Sequence, residues 1–118
     1  MVIEDNVDNM EVMRRILEED GYKILKAETG QQGLDVALEA RPDFILLDIQ
    51  LPDMDGLEVL QKIRSSEIDG GIPVIAVTSY AMSGDSERMM AAGCNSYIEK
   101  PIDPDKFVDQ IREILGEK

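Results

Sequence analysis

Short unbroken apolar runs alternate along this chain with segments in which apolar positions recur every three or four residues. The runs read as buried strands and the spaced segments as amphipathic helices. Met1 to Glu4 is a first short strand. A helix follows from about Val7 to Asp20, with Met10, Met13, Ile16 and Leu17 inward, and Gly21 stops it. Tyr22 to Ala27 is the second strand. Thr29-Gly30-Gln31-Gln32 is a T-x-x-Q capping box that opens a helix to about Glu39, with Leu34, Ala37 and Leu38 on its inner face. Phe44 to Asp48 is the third strand, apolar on both faces as a central parallel strand must be.

The second half repeats the alternation. Gly56 to Ser66 is a helix with Leu57, Leu60 and Ile63 inward. Ser65 to Gly71 is a polar turn, and Pro73 to Thr78 is a fourth apolar strand. A helix from about Ser83 to Ala92 closes on Gly93, and Ser96 to Glu99 is a short fifth strand. Asp103-Pro104 reads as an N-cap and first-turn proline for a last helix to about Leu115. Its packing face is Phe107, Val108, Ile111, Ile114 and Leu115. Five β-α units joined by short loops predict an α/β fold: a doubly wound, five-stranded parallel sheet with helices on both faces. Right-handed crossovers restrict the topology. In the flavodoxin-like strand order 2-1-3-4-5, strands 1, 3 and 4 occupy the middle.

The 118 residues suit one domain, 1–118. The 43% apolar content suits a packed globule, and no apolar run approaches the roughly 20 residues of a membrane helix. No signal-peptide pattern is present, since Met1-Val2-Ile3 runs straight into acids. Lys and Arg number 12 against 25 Asp and Glu, a net charge of −13, which disfavours contact with nucleic-acid phosphates. The single cysteine, Cys94, excludes an internal disulfide or a zinc cluster and fits a reducing cytosol. It reads as a small buried residue in a helix-to-strand turn. There is no histidine, which excludes Ser-His-Asp and Cys-His catalysis and any phosphohistidine on this chain.

The candidate chemistry lies where strands end. Asp48 terminates Phe44-Ile45-Leu46-Leu47 and leads into Ile49-Gln50-Leu51-Pro52-Asp53-Met54-Asp55-Gly56. Glu4-Asp5 follows the first strand, Thr78 ends the fourth, and Lys100 follows the fifth. In open α/β sheets the carboxyl edge is where ligands bind. Acids, a hydroxyl and a lysine converging there make a site for a cation and a phosphoryl group. Taken singly, each has a plainer reading: Asp48, Asp53 and Asp55 as turn residues, Thr78 as a strand former, Lys100 as a solvated lysine, Tyr97 as a half-buried aromatic. Asp53 and Asp55 keep that plainer reading. The others gain weight from their shared place on one edge.

Four stretches carry a resemblance: Val2-Ile3-Glu4-Asp5-Asn6, Ile45 to Gly56, Val74 to Met82, and Gly93 to Pro101. In that order they resemble the receiver domain of two-component response regulators, over essentially the whole chain. The wording is similar to stand-alone receivers of the DivK type and to receivers at the ends of hybrid histidine kinases. The resemblance implies a CheY-like fold and a phospho-acceptor module rather than a turnover enzyme. Asp48 would accept a phosphoryl group from a partner kinase's phosphohistidine. Asp5, Asp48 and the Gln50 backbone carbonyl would hold Mg²⁺ (or Mn²⁺), with Glu4 helping through a water or by charge. Thr78 and Lys100 would contact phosphoryl oxygens, and Tyr97 would turn inward when Thr78 moves. Gln50 and Tyr80 would tune the phosphoryl lifetime, small Ser79 would leave room for the group, and the Lys100-Pro101 peptide would be cis. Partners would be a histidine kinase or phosphotransfer protein, docking on the first helix and on Pro101-Ile102-Asp103, and a downstream protein reading the face around Tyr97. With no output domain expected after Leu115, the effect would pass through binding, in the cytoplasm. Two departures stand out: Glu4 where many receivers carry Asp, and a first strand that begins at once, with an expected cost in ladder hydrogen bonds.

Three other readings compete. A haloacid-dehalogenase-like phosphatase also uses a strand-end Asp, Mg²⁺, Thr and Lys, but needs an Asp where Gln50 stands. A flavodoxin-like binding protein needs a phosphate loop where Glu4-Asp5-Asn6-Val7-Asp8 would repel phosphate, and no Walker or G-x-G-x-x-G pattern is present. A receiver reduced to a scaffold is disfavoured by the intact set Asp5, Asp48, Thr78 and Lys100.

Overall fold

The computed structural model describes residues 1–49, 51, 53–65, 72–78, 85–100 and 102–116. Five strands, β1 (Val2–Ile3), β2 (Lys26–Ala27), β3 (Ile45–Asp48), β4 (Val74–Thr78) and β5 (Ser96–Glu99), alternate with five helices. The helices are α1 (Val7–Glu19), α2 (Gly30–Ala40), α3 (Gly56–Ser65), α4 (Asp85–Ala91) and α5 (Phe107–Leu115). All strand pairs are parallel, as the alternation predicts, and they lie in the expected order β2-β1-β3-β4-β5. The register sets Ile3 beside Leu47 and Asp48 beside Val77, so the carboxyl ends of β1, β3 and β4 meet on one edge.

The two-residue period of the strands divides the core into two layers. Ile45 and Leu47 of β3 and Val74 and Ala76 of β4 pack with Leu34, Val59, Leu60, Ile63 and Met89, beneath α2, α3 and α4. Leu46, Ile75 and Val77 face the other way, onto Met10, Met13 and Leu17 of α1 and Phe107 and Ile111 of α5. Most of these side chains are fully buried, and each of the larger ones (Val, Leu, Ile, Met, Phe) stabilises the fold by roughly 1.5–3 kcal/mol in transfer terms. Gly33 brings α2 close to β1: a Cβ there would lie 2.5 Å from Ile3 Cδ1.

Local signals fix the helix ends. Thr29 Oγ1 accepts the Gln32 N–H at 3.1 Å and Gln32 Oε1 accepts the Glu28 N–H at 3.0 Å, the reciprocal bonds of the expected capping box. Gly21 and Gly93, which end α1 and α4, have φ of +92° and +112°, where a side chain is strained. Cys94 is buried, and burial pushes its thiol pKa up, in keeping with a packing role.

The structure corrects four expectations. The second strand is only Lys26–Ala27: Leu25 O still accepts the Val2 N–H at 2.8 Å, but Tyr22 turns back to α1, its N–H donating to Leu17 O at 3.0 Å. Leu38 is 49% exposed: the buried stripe of α2 is Gly30, Gly33, Leu34 and Ala37, and Leu38 lies about 100° round from Ala37. Val59 takes the fully buried place in α3, and Leu57 is only half-buried. Asp103 caps a turn rather than α5, its Oδ1 accepting the Asp105 N–H at 3.0 Å, and the helix starts at Phe107. The ladder cost expected at the first strand is largely avoided. The Met1 amine donates to Phe44 O and Met1 O accepts the Leu46 N–H, both at 2.8 Å.

Candidate phosphoryl and metal site

Asp48 is the last residue of the central strand and is 5% exposed. Its position is set from below by the β3–β4 ladder and from above by Gly56. The Gly56 N–H donates to Ile49 O at 2.8 Å, folding the loop back over the strand end. Two further loop residues are helix caps. Asp55 Oδ1 accepts the Leu57 N–H at 2.9 Å, opening α3. Asp53 reaches across to α2, where Oδ1 accepts the Gly30 N–H at 2.8 Å and Oδ2 the Gln31 N–H at 3.0 Å. Those bonds from Gln31 and Gly30 hold the Asp53 carboxyl below the usual range. Met54 closes over Gly30, where a Cβ would lie 2.5 Å from Met54 Cγ. The loop after Asp48 is therefore anchored to two helices.

Glu4 and Asp5 follow β1, and Asn6 turns the chain into α1 by accepting the Asn9 N–H on Oδ1 at 2.9 Å. Glu4 is buried and Asp5 is exposed. Lys100 follows β5, its backbone N–H donating to Thr78 O at 2.8 Å. Its Nζ lies 2.9 Å from Glu4 Oε1 and 3.5 Å from Asp48 Oδ1. One carboxylate oxygen each from Glu4, Asp5 and Asp48 lie within 4.8 Å of one another. These three acids, Lys100, Asn6, Asn9 and Leu51 line an open cleft of about 350 Å³.

Electrostatics tie the group together. Burial disfavours the Glu4 carboxylate, but hydrogen bonding with the Asp48 and Lys100 side chains and the Lys100 charge outweigh it and hold its pKa below the ordinary value. Burial likewise opposes the Lys100 ammonium, and its bond to Glu4 and the Asp48 and Glu4 charges raise its pKa regardless. With all three acids ionised, three carboxylates would face one ammonium and leave two formal negative charges unbalanced, a repulsion that a shared proton or a bound cation relieves. That excess and an all-oxygen donor set suit Mg²⁺, which binds hard oxygen ligands and retains several waters. The residues present therefore fit the cation the sequence implied.

The expected residues that the structure describes each have a definite place. Glu4, Asp5, Asp48 and Lys100 converge within the distances above. Thr78 is buried at the end of β4, one residue beyond Asp48's partner Val77. Tyr97 on β5 pairs with Ala76 and is 37% exposed. Gln50, Ser79, Tyr80 and Pro101, with the expectations attached to them, lie outside the described residues. Sequence reasoning missed Asn9 as a wall of the cleft and Asp53 as the cap of a helix 23 residues away. Asn9 was legible as one helical turn past the acids; nothing local announces Asp53's partner.

The family model described as "Response regulator receiver domain" matches residues 1–112. The polar-differentiation response regulator DivK of Brucella anthropi is 45% identical over 117 residues, spanning 99% of this chain and 95% of that one. Among solved structures, the receiver domain of a sensor histidine kinase from Pseudomonas aeruginosa, with a magnesium ion coordinated in its active-site cleft, superimposes with a TM-score of 0.88 at 33% identity. It covers 98% of this chain and 95% of that chain. A CheY-like receiver domain protein from Methanospirillum hungatei gives the same TM-score and identity, covering 98% and 90%.

Proposed function

The chain belongs to the response regulator receiver family of two-component signalling, and on that premise we propose that Asp48 accepts a phosphoryl group from a phosphohistidine on a partner histidine kinase or phosphotransfer protein. The observation that carries the assignment is Asp48 itself: a buried strand-end carboxylate with the Lys100 ammonium 3.5 Å away and two further acids beside it.

An Asp48 carboxylate oxygen attacks phosphorus in line as the P–N bond breaks. The electron pair leaves on the donor imidazole, and the product is an acyl phosphate. Such transition states receive little covalent help, so the protein's task is to position groups and neutralise charge. Lys100 supplies a positive charge, and Thr78 a hydroxyl for a phosphoryl oxygen. Asp5, Asp48 and the Gln50 carbonyl would hold Mg²⁺, or Mn²⁺ with the same ligand chemistry, with Glu4 contributing charge. The bound cation supplies neutralisation of the acids and of the incoming oxygens. The new group brings about −1.5 to −2 charges and strong acceptors. Thr78 and Lys100 move toward it, and Tyr97 leaves its exposed position for the space Thr78 vacates.

This chemistry acts on the chain itself, so the protein is a signalling module rather than a turnover enzyme. Gln50 and Tyr80 are assigned the phosphoryl lifetime, which Gln50→Ala and Tyr80→Ala should change. Among the described residues no helix is long and apolar enough to cross a membrane. Action in the cytoplasm, beside a kinase and a downstream protein, completes the proposal. The test is intact mass after incubation with acetyl phosphate, with and without Mg²⁺. A single phosphoryl adduct that requires Mg²⁺ and is absent in Asp48→Asn is the expected result. An adduct that persists in Asp48→Asn refutes the assignment.

A further inference from the structure

The Lys100 ammonium is not centred on the acceptor aspartate. It lies 0.6 Å nearer to Glu4, at 2.9 Å against 3.5 Å. The Glu4 side chain is fully buried and that of Lys100 is 17% exposed, so little water screens the contact. The other Glu4 oxygen accepts the Asn6 N–H at 3.4 Å, which, with burial, fixes the carboxylate's direction. A glutamate reaches one carbon bond, about 1.5 Å, further than an aspartate. From the same backbone position an aspartate carboxylate would fall short of Nζ. Position 4 is therefore where reach, at constant charge, decides which anion Lys100 holds.

Resting on the phospho-acceptor reading above, we propose that Glu4 is a positioning residue: a built-in counter-anion that holds Lys100 in the unphosphorylated state and competes with the phosphoryl group for it. A ligand shifts an equilibrium only by its differential interaction with the two states. The Glu4–Lys100 bond belongs to the unphosphorylated state, so it subtracts from what the phosphoryl group gains by recruiting Lys100. A lysine has three donors and can serve two acceptors. A phosphoryl oxygen nonetheless draws on the same ammonium charge, and the Glu4 bond lengthens or breaks as the phosphoryl bond forms. The length of the side chain at position 4 thereby sets how firmly the phosphorylated conformation is held.

The experiment measures beryllofluoride, a phosphoryl mimic, binding at saturating Mg²⁺ by ¹⁹F and amide NMR. It compares wild type, Glu4→Asp, Glu4→Gln, Lys100→Met and the Glu4→Asp/Lys100→Met double variant. Glu4→Asp keeps the charge and loses the reach, and should bind beryllofluoride more tightly by roughly fivefold to tenfold, the weight of one charge-assisted hydrogen bond partly surrendered. In the Lys100→Met background the same substitution should have no effect, an outcome a merely structural role for Glu4 would not produce. Glu4→Gln keeps the volume of the buried side chain and should also bind more tightly, which decides the matter if Glu4→Asp does not fold. Unchanged or weaker binding in the folded position-4 variants overturns the proposal, as does a gain that survives loss of Lys100. Wild-type protein that takes up no beryllofluoride overturns the phospho-acceptor reading and this inference with it.

Discussion

Replacing Gly56 by alanine tests how the fold positions Asp48. Gly56 opens α3 with a backbone conformation any residue can adopt, so the demand for glycine is one of space. A Cβ at this position would lie 2.6 Å from Ile49 Cα, 2.7 Å from Asp48 O and 3.0 Å from Ile49 O. All three are backbone atoms, so no side chain can swing aside. Ordinary contact begins near 3.4 Å, and the loop must open by roughly 0.8 Å at its tightest point. Two effects oppose each other. Alanine is favoured over glycine inside a helix by about 0.8–1 kcal/mol. Overpacking costs about 1–3 kcal/mol, and weakening the 2.8 Å bond from Gly56 N–H to Ile49 O adds about 1 kcal/mol. The clash wins, for a net loss of about 1–3 kcal/mol. In a domain of this size that lowers the melting temperature by roughly 4–15 °C. Because the displaced atoms adjoin Asp48, the proposed acceptor, phosphorylation should slow more than stability suggests, by roughly tenfold to a hundredfold for a shift approaching 1 Å.

Circular dichroism melts and initial rates of phosphoryl incorporation, read by intact mass at a temperature where both proteins are folded, give the two numbers. Gly21→Ala is the control: its φ of +92° makes alanine strained, but nothing lies within 4 Å of the new Cβ and the site is remote. It should cost about 1 kcal/mol of stability and leave the rate unchanged. A Gly56→Ala protein that melts at or above wild type, as helix propensity alone predicts, and is phosphorylated at the wild-type rate would refute the contact argument.

Other substitutions probe the supports of the site. Arg64 ties the end of α3 to the start of β4 and the α4–β5 turn, donating to Gly93 O at 3.0 Å, Ile72 O at 2.7 Å and Asn95 Oδ1 at 2.9 Å. Arg64→Met should lower the unfolding free energy in urea by about 2–3 kcal/mol, and a loss under 0.5 kcal/mol would contradict that role. Asp53→Ala removes the acceptors of the Gly30 and Gln31 amides, so their hydrogen exchange should accelerate while amides in the middle of α5 are unaffected; equal protection in both proteins would mean the cap is dispensable. The acid limb of stability follows from Glu4. Its folded pKa is depressed below 4.5, so its contribution is present above that value and lost as pH falls through the folded value. Lys100, raised above 10.5, contributes fully below that pH and loses its contribution as pH rises through the folded value. Denaturation midpoints from pH 7 down to 3 should therefore fall less steeply in Glu4→Gln than in wild type, and parallel curves would exclude the Glu4 contribution.

The sequence by itself determined the α/β alternation and the strand ends on which the chemistry lies, while the strand order was only restricted by handedness and implied by the resemblance to receivers. The alternation and the strand ends follow from local physics. Apolar runs such as Ile45 to Leu47 are stable only between two covering layers. Gly21 and Gly93 end helices through positive φ, and Thr29 and Gln32 cap one through reciprocal bonds between neighbours. Chirality then leaves few ways to connect parallel strands. Glu4, Asp5, Asp48 and Lys100 could be named because each ends a predicted strand.

Their mutual geometry was not legible, because it depends on distances between residues remote in sequence. Lys100 and Glu4 are 96 positions apart. That the lysine sits nearer Glu4 than Asp48 is decided by strand register, helix packing and one carbon of side-chain length. The same holds for Asp53, a turn residue by its local setting and the cap of α2 only once α2 is docked against the β3–α3 loop. It holds for Leu38, inward by residue type but exposed, since packing of α2 through Gly30, Gly33 and Ala37 turned a neighbouring stripe to the sheet. Local sequence chooses elements and their ends through interactions a few residues long. Which side chains share charge or space is set by the tertiary contacts, where tenths of an ångström decide the partner.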